Sequence, residues 1–159
     1  MKTEKLLLKY GKEIISSRGM QSERKYIQHG KTTVFEHSLG VAILSLMAVH
    51  YLGLKVDERA LVRGALLHDY FLYDWHIPED YHRFHGFRHS RIALKNAIRD
   101  FEIEEVEKDI IEKHMFPLTF FPPRYKESIL VCIVDKICAV LETVSWTYFD
   151  RSLLDKMVY

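Results

Sequence analysis

The sequence predicts an all-α fold, a compact bundle of several helices. Apolar residues recur at helical spacing along most of the chain, and the seven glycines and four prolines fall mostly between these periodic segments. Segments that alternate apolar and polar residues, as half-buried strands do, are hard to find. A chain of 159 residues is long enough to bury a core without disulfides or a partner. We therefore expect residues 1–159 to form a single domain.

Local start and stop signals set the expected helix boundaries. The hydroxyl of Thr33 can accept a hydrogen bond from the amide of Glu36, whose carboxylate reaches back, and this capping box opens a long apolar helix that Gly53 ends. Asp57 is a suitable N-cap for the next helix. Gly19 marks the end of the first helix. Together the signals predict helices over about residues 3–17, 33–52, 57–69, 90–100, 103–114 and 126–144, with a short C-terminal segment over 150–159.

Residues 70–87 interrupt the helical pattern. Aspartate, tryptophan, histidine, proline and glycine crowd together here without a clean period, which predicts a long loop. Long loops in compact domains often carry function. We therefore expect this segment to border a functional site.

Composition and charge argue against several classes of protein. The chain has 23 Lys and Arg against 22 Asp and Glu, so no global positive field would gather duplex nucleic acid. The longest apolar stretch, residues 41–49, is far shorter than a bilayer span, so no membrane partner is expected. Cys132 and Cys138 lie nearly opposite each other on an expected helix, which indicates buried thiols in a reducing compartment. We expect a cytoplasmic protein, and a homo-oligomer is left open.

Four residues are candidate metal ligands from their local surroundings. His37 lies one turn into the capped helix, in a segment that is at least half apolar. His68 and Asp69 end an apolar helix whose small residues allow another backbone to approach closely. Asp135 lies in an apolar run, where an unpaired carboxylate would be costly to bury. Each alone is more often a hydrogen-bonded core residue, but a shared cation would explain all four, because imidazoles and carboxylates supply lone pairs to metal ions.

The order and context of these four residues resemble the HD superfamily of phosphohydrolases. The matching segments are EHSLGVA at 36–42, ALLHD at 65–69 and VDKI at 134–137, and the resemblance spans about residues 33–142. It implies an all-α bundle that directs His37, His68, Asp69 and Asp135 at one divalent ion. It also implies hydrolysis of a phosphate ester by metal-activated water, with His68 and Asp69 at the catalytic centre.

Two further histidines suggest a second ion. Binuclear HD proteins carry one histidine before a small-residue helix and another at the end of the next helix, and His89 and His114 match these positions. Asp69 would then bridge both ions. The alternative is that His89 is only a helix N-terminal residue and His114 a C-terminal one that gains from the helix dipole. The expected cofactor is one or two divalent ions of Fe, Mn, Zn, Co or Ni, since mixed histidine and carboxylate ligands accommodate all of them.

The substrate side of the site is less defined. Several HD relatives follow the His-Asp pair with Gly-Lys, but this chain has Phe-Leu at 71–72, so no lysine role is transferred. His85 and Arg88 lie nearest the expected ligand His89 and are candidate phosphate donors, as is Lys136 beside Asp135. Phe116, Phe120, Phe121 and Tyr125 are expected to form an apolar wall beside His114 for a nucleoside, and Trp75 is either a packing group or a residue that faces a base.

The sequence therefore predicts a metal-dependent hydrolase of phosphate monoesters, diesters or anhydrides. The expected substrate is a nucleotide or another small phosphorylated metabolite. One alternative is a di-iron oxygenase, because some HD proteins with the same six ligands oxidise instead of hydrolysing. The other is a regulatory HD domain that keeps a metal or ligand without turnover, since fold alone does not settle chemistry.

Overall fold

The computed structural model describes residues 2–77 and 85–144 and confirms the all-α class. Within these residues, seven α-helices are joined by one short 3-10 helix and one small antiparallel hairpin. In chain order the elements are α1 (Lys2–Ile15), α2 (Arg18–Ser22), the 3-10 helix (Glu23–Lys25), β1 (Ile27–His29), β2 (Thr32–Thr33), α3 (Val34–Leu52), α4 (Glu58–Leu67), α5 (His85–Asp100), α6 (Glu105–Lys113) and α7 (Lys126–Thr143).

The local signals place the helix ends where they were expected around α3 and α4. The Glu36 amide donates to Thr33 Oγ1 at 3.2 Å, and the Thr33 amide donates to the Glu36 carboxylate at 2.9 Å. Gly53 follows α3 with a φ of +63°, the left-handed conformation that favours glycine. Asp57 accepts from the amide of Ala60 at 3.0 Å and caps α4. These short-range bonds fix where α3 and α4 begin.

The central element of the described bundle is α3. It packs against α1, α4 and α7, and α6 lies against both α4 and α7. Phe35, Leu39 and Leu46 on α3 are fully buried. This helix is longer than the apolar run at 41–49, and by length and composition it could cross a membrane, but 67% of its apolar window is buried inside the protein. That burial is typical of the core helix of a bundle.

The four short elements between α1 and α3 were not predicted. Gly19 does not end the first helix, which already ends at Ile15, and instead lies inside α2. Its function is close packing, because a Cβ at this position would collide with the Tyr70 hydroxyl. β1 and β2 form an antiparallel pair around Gly30, whose φ is +56°. Strands of three and two residues are too short to show an alternating pattern.

The expected loop over 70–87 ends earlier than predicted. α5 includes His85, Arg88 and His89, although the sequence pattern suggested a start near Ser90. The glycine and histidines at the start of this helix obscured its apolar period. His82, in the remainder of the expected loop, and the expected C-terminal segment over 150–159 lie outside the described residues.

The two cysteines follow the expectation. Cys132 and Cys138 both lie on α7, both are buried, and both are thiols. The Cys132 sulfur lies 3.3 Å from the carbonyl oxygen of Phe116, within hydrogen-bonding distance. Their burial is consistent with a packing function for both side chains.

Candidate metal centre

Three side chains from three helices meet in the core. His37 lies in the first turn of α3, His68 directly follows α4, and Asp135 lies midway along α7. His37 Nε2 lies 3.0 Å from Asp135 Oδ1 and 3.3 Å from His68 Nε2, and His68 Nε2 lies 3.4 Å from the same oxygen. All three residues are buried. We call these three residues the first cluster.

A second pair of imidazoles lies beside the first cluster. His89 lies one turn into α5, and His114 directly follows α6. Their Nε2 atoms are 2.9 Å apart, and the rings of His114 and His68 are in edge-on contact with centroids 4.8 Å apart. We call His89 and His114 the second cluster. Five of the six predicted ligands are thus accounted for, and the sixth lies between the two clusters.

Asp69 divides its two carboxylate oxygens between the clusters. Oδ2 lies 3.7 Å from His37 Nε2 and 3.5 Å from His68 Nε2. Oδ1 lies 3.2 Å from His89 Nε2 and 3.4 Å from His114 Nε2. The residue is 1% exposed, so both oxygens face protein groups instead of bulk water. A carboxylate in this position is placed to bridge two ions.

All four imidazoles of the two clusters direct Nε2 toward a cluster, and each forms a hydrogen bond through Nδ1. In His68, His89 and His114, Nδ1 donates to a backbone carbonyl three or four residues earlier, at 2.7, 3.0 and 2.8 Å. In His37, Nδ1 donates to the Glu142 carboxylate at 2.9 Å. A carbonyl oxygen only accepts, so the proton lies on Nδ1 and Nε2 keeps its lone pair when the ring is neutral. This arrangement is typical of metal-binding histidines.

The donor set fits a divalent cation. The Nε2 atoms of His89 and His114 would bring two lone pairs to within 2.9 Å of each other, an arrangement that a proton or a cation relieves. Asp69 Oδ1 is buried and has no hydrogen-bond partner among the described residues, although two imidazole nitrogens are near. Nitrogen and carboxylate donors together suit first-row transition metals.

The pKa of each of His37, Asp69 and Asp135 depends strongly on its charged neighbours. Burial lowers the pKa of His37, but hydrogen bonds to Asp135 and Glu142 outweigh it and hold that pKa well above its usual value. Burial raises the pKa of Asp135, but His37 and His68 outweigh it and hold that pKa well below its usual range. Asp69 follows the same pattern, with His68 and His114 outweighing burial. These shifts favour the ionised form of Asp69 and Asp135 and the protonated form of His37.

Metal uptake is expected to release protons and to weaken as the pH falls. An ion that binds His37 Nε2 must displace the proton held there. Below the raised pKa of His37 the ion competes with this proton, and above that pKa the competition disappears. Metal titrations at about pH 6 and about pH 8 in a weakly buffered solution would measure both effects. Equal affinities without proton release would contradict this prediction.

A family model matches most of the chain, including the segments that carry His37, His68, Asp69 and Asp135. The model of the HD domain matches residues 34–140. The chain belongs to the HD domain family. HD domains are mostly metal-dependent phosphohydrolases, and membership of the family implies binding of divalent metal ions. Neither the curated proteins nor the solved structures include a match to this HD domain.

A cavity of about 650 Å³ opens onto the clusters of the HD domain. Besides ligand-type residues, it is lined by Trp75, His85 and Lys136. The His85 ring stacks on Trp75 with centroids 5.0 Å apart, and its Nδ1 lies 2.8 Å from the Tyr73 hydroxyl. Lys136 Nζ donates to the carbonyl of His114 at 2.8 Å, which holds its ammonium group at the cavity wall. Two predicted phosphate-binding residues, His85 and Lys136, thus line the same cavity as predicted metal-binding residues.

Arg88 lies elsewhere. It lines a neighbouring cavity of about 520 Å³ in the HD domain, together with Arg91, Phe120 and Phe121, and Leu118 lines both cavities. Arg88 is exposed because it is adjacent to the buried His89, about 100° around the helix from it, and therefore points away from the clusters. Of the expected aromatic residues, Trp75 lines the first cavity and Phe120 and Phe121 line the second, whereas Phe116 and Tyr125 line neither of these two cavities.

Four residues that lie around the clusters were not predicted from the sequence. Gln28 and His29 from β1 line the cavity, Glu142 supports His37, and Glu23 is a fully buried carboxyl group whose pKa is raised by burial and by Asp69. Glu142 lies seven residues after Asp135, two turns along α7, and this spacing was a usable signal. Glu23, Gln28 and His29 precede the matched region, and no local pattern singled them out.

Proposed function

We propose that the protein is a phosphohydrolase that uses two divalent ions. His37, His68 and Asp135 with Asp69 Oδ2 would hold the first ion, and His89 and His114 with Asp69 Oδ1 would hold the second. The observation that carries the proposal is the division of the Asp69 oxygens between the two clusters, each within 3.7 Å of two imidazole nitrogens. A carboxylate shared in this way is the usual bridge of a two-metal site, in which ions lie about 3.5–4 Å apart.

The ions would activate a water molecule and neutralise charge on the phosphoryl oxygens. The residues of the chain would hold the ions and bind the phosphate of the substrate. His68 and Asp69 hold the ions at the catalytic centre, and Glu142 fixes the ring of His37. Lys136 offers a positive charge at the cavity wall, and His85 offers a ring nitrogen for a phosphate oxygen. The buried surroundings strengthen each of these electrostatic interactions.

The two cavities support a nucleotide or another small phosphorylated metabolite as substrate. The first contains the clusters and the flat ring of Trp75, on which an aromatic base can stack. The second combines Arg88 and Arg91 with two exposed phenylalanines, which suits a second anionic or aromatic part of the same molecule. We further propose that the protein acts in the cytoplasm, where its two cysteines stay reduced, on small molecules and not on duplex nucleic acid.

The proposal is tested by a screen of phosphorylated metabolites with each of Fe(II), Mn(II), Zn(II), Co(II) and Ni(II), read as phosphate or nucleotide release. We expect metal-dependent turnover of a subset of nucleotides. Oxygen consumption with Fe(II) alone, without phosphate release, would favour a di-iron oxygenase instead. Binding of a phosphorylated ligand without turnover under every metal would favour a regulatory domain.

His85 and Lys136 are expected to bind substrate without holding metal. In His85→Ala, the backbone carbonyl that supports His89 remains, so metal content should be unchanged. We expect KM to rise by about 10-fold or more, the effect of losing one hydrogen bond to a charged group. Lys136→Met should act in the same direction. His50→Ala, which changes a histidine paired with Glu58 outside the cavity, is the matched control.

Arg88→Ala reports on the second cavity in the same assay. A rise in KM comparable to that of His85→Ala would support a substrate that extends into both cavities. Loss of metal from any of these variants would contradict the assigned roles and make the altered residue a ligand or an essential support.

A further inference from the structure

The β1–β2 hairpin brings a side-chain amide to the bridging carboxylate. Gln28 Nε2 donates to Asp69 Oδ2, a contact between residues 41 positions apart in the chain. Gln28 is 7% exposed, and its Oε1 is buried without a hydrogen-bond partner among the described residues. An ionised carboxylate oxygen only accepts, so the group that faces Asp69 is the amide NH₂.

The hairpin is held in place next to α3 and α7, two of the three helices that carry the first cluster. Gly30 lies so close to α7 that a Cβ would be 2.8 Å from the carbonyl oxygen of Glu142. The ring of His29 contacts the ring of His37 edge-on, with centroids 5.4 Å apart. Thr33, at the end of β2, caps α3 one turn before His37. Gln28 therefore belongs to a segment with little room to move relative to the clusters.

The hydrogen bond makes the two oxygens of Asp69 different. Oδ2 accepts a hydrogen bond from Gln28 and faces the first cluster, whereas Oδ1 has no hydrogen-bond partner among the described residues and faces the second cluster. Fixing Oδ2 also fixes the plane of the carboxylate, and so aims Oδ1 at His89 and His114. The outer hydrogen bonds of metal ligands usually have this orienting effect.

The two clusters depend on Asp69 to different degrees. The first cluster supplies three donors of its own, from His37, His68 and Asp135. The second supplies only two, from His89 and His114, so Asp69 Oδ1 is its third protein donor. Misorientation of Asp69 would therefore lower the affinity for the second ion more than the affinity for the first.

We propose that Gln28 is a positioning residue that orients Asp69 and thereby secures the second metal ion. The proposal rests on the two-ion function proposed above. It assigns the hairpin, which precedes the matched HD region, a part in completing the metal centre. Gln28 acts through Asp69 and does not itself bind metal.

The test is a Co(II) titration of metal-free protein, followed by the visible absorption of the bound ions and by calorimetry. In the unaltered chain we expect two binding steps. In Gln28→Met, which keeps the length of the side chain and removes the donor, we expect the first step to change much less than the second. The second should weaken by about 10- to 100-fold, the usual effect of removing an outer partner of a ligand. The absorption bands of the second ion should shift as well.

Gln21→Met is the matched control, because Gln21 donates to the carbonyl of Ile15, away from the clusters. If Gln28→Met does not fold, as judged by circular dichroism, Gln28→Glu keeps the shape of the side chain and replaces the donor with a carboxylate. It should weaken the second step at least as much.

The outcomes separate this proposal from the proposed function. Two steps in the unaltered chain that Gln28→Met and Gln28→Glu leave unchanged would overturn the role of Gln28 alone. Equal weakening of both steps would also overturn it, because the proposed effect is selective. A single step in the unaltered chain would overturn the two-ion function and the role of Gln28 together.

Discussion

Asp135→Ala is expected to abolish metal-dependent activity and to empty the first cluster while the protein stays helical. The Asp135 carboxylate lies within 3.4 Å of both imidazoles of that cluster, so its loss removes the charge that balances an ion there. We expect activity to fall by more than about 100-fold, beyond the effect of altering an outer partner of a ligand.

The fold should survive this change. Asp135 lies on an apolar stretch of α7, and its removal leaves His37 still paired with Glu142. His37 can also lose its proton, so no buried charge is left without a partner. Metal content by mass spectrometry, turnover, and helical content by circular dichroism would be measured together.

Asp135→Asn separates the effect of charge from that of shape, because it keeps the size of the side chain and removes its charge. It should lose nearly as much metal as Asp135→Ala. Glu105→Ala removes an exposed acidic group that pairs with Lys108 on the same helix, and it should leave metal and activity intact. Full activity in Asp135→Ala would rule out the metal-hydrolase function.

Replacing His89 and His114 together is expected to reduce the metal content from about two ions per chain to about one. Reconstitution with Fe(II) or Mn(II) under anaerobic conditions would establish the starting value. The two rings supply both nitrogen donors of the second cluster, and Asp69 Oδ1 alone cannot hold an ion there. Turnover should fall by about 100-fold or more, because two ions stabilise the transferring phosphoryl group better than one.

His37→Ala provides the complementary result, since it should disturb the ion of the first cluster. His50→Ala is the neutral histidine control. A metal content near one in the unaltered chain that the double replacement does not change would leave a mononuclear site. In that case His89 and His114 would be structural residues that lie close to the ion without holding it.

Much of the architecture could be predicted because it depends on interactions between residues close in sequence. The capping box at Thr33, the αL residue at Gly53 and the cap at Asp57 act over one to four residues, and the structure confirms them. Helical periods act over one or two turns, which is why the all-α class was clear. α2 has five residues and the two strands have three and two, which is too few to repeat a helical or strand pattern clearly.

The candidate ligands could be named from sequence because each stands in a distinctive local setting, but their arrangement could not. His37 and Glu142 are 105 positions apart, and Gln28 and Asp69 are 41 apart. The sequence determined which residue types were available and which helices would carry them. Only the tertiary structure decided that one oxygen of Asp69 faces each cluster and that an amide from the hairpin holds it there. These contacts depend on how α3, α4, α5, α6 and α7 pack, and packing is a property of the whole core.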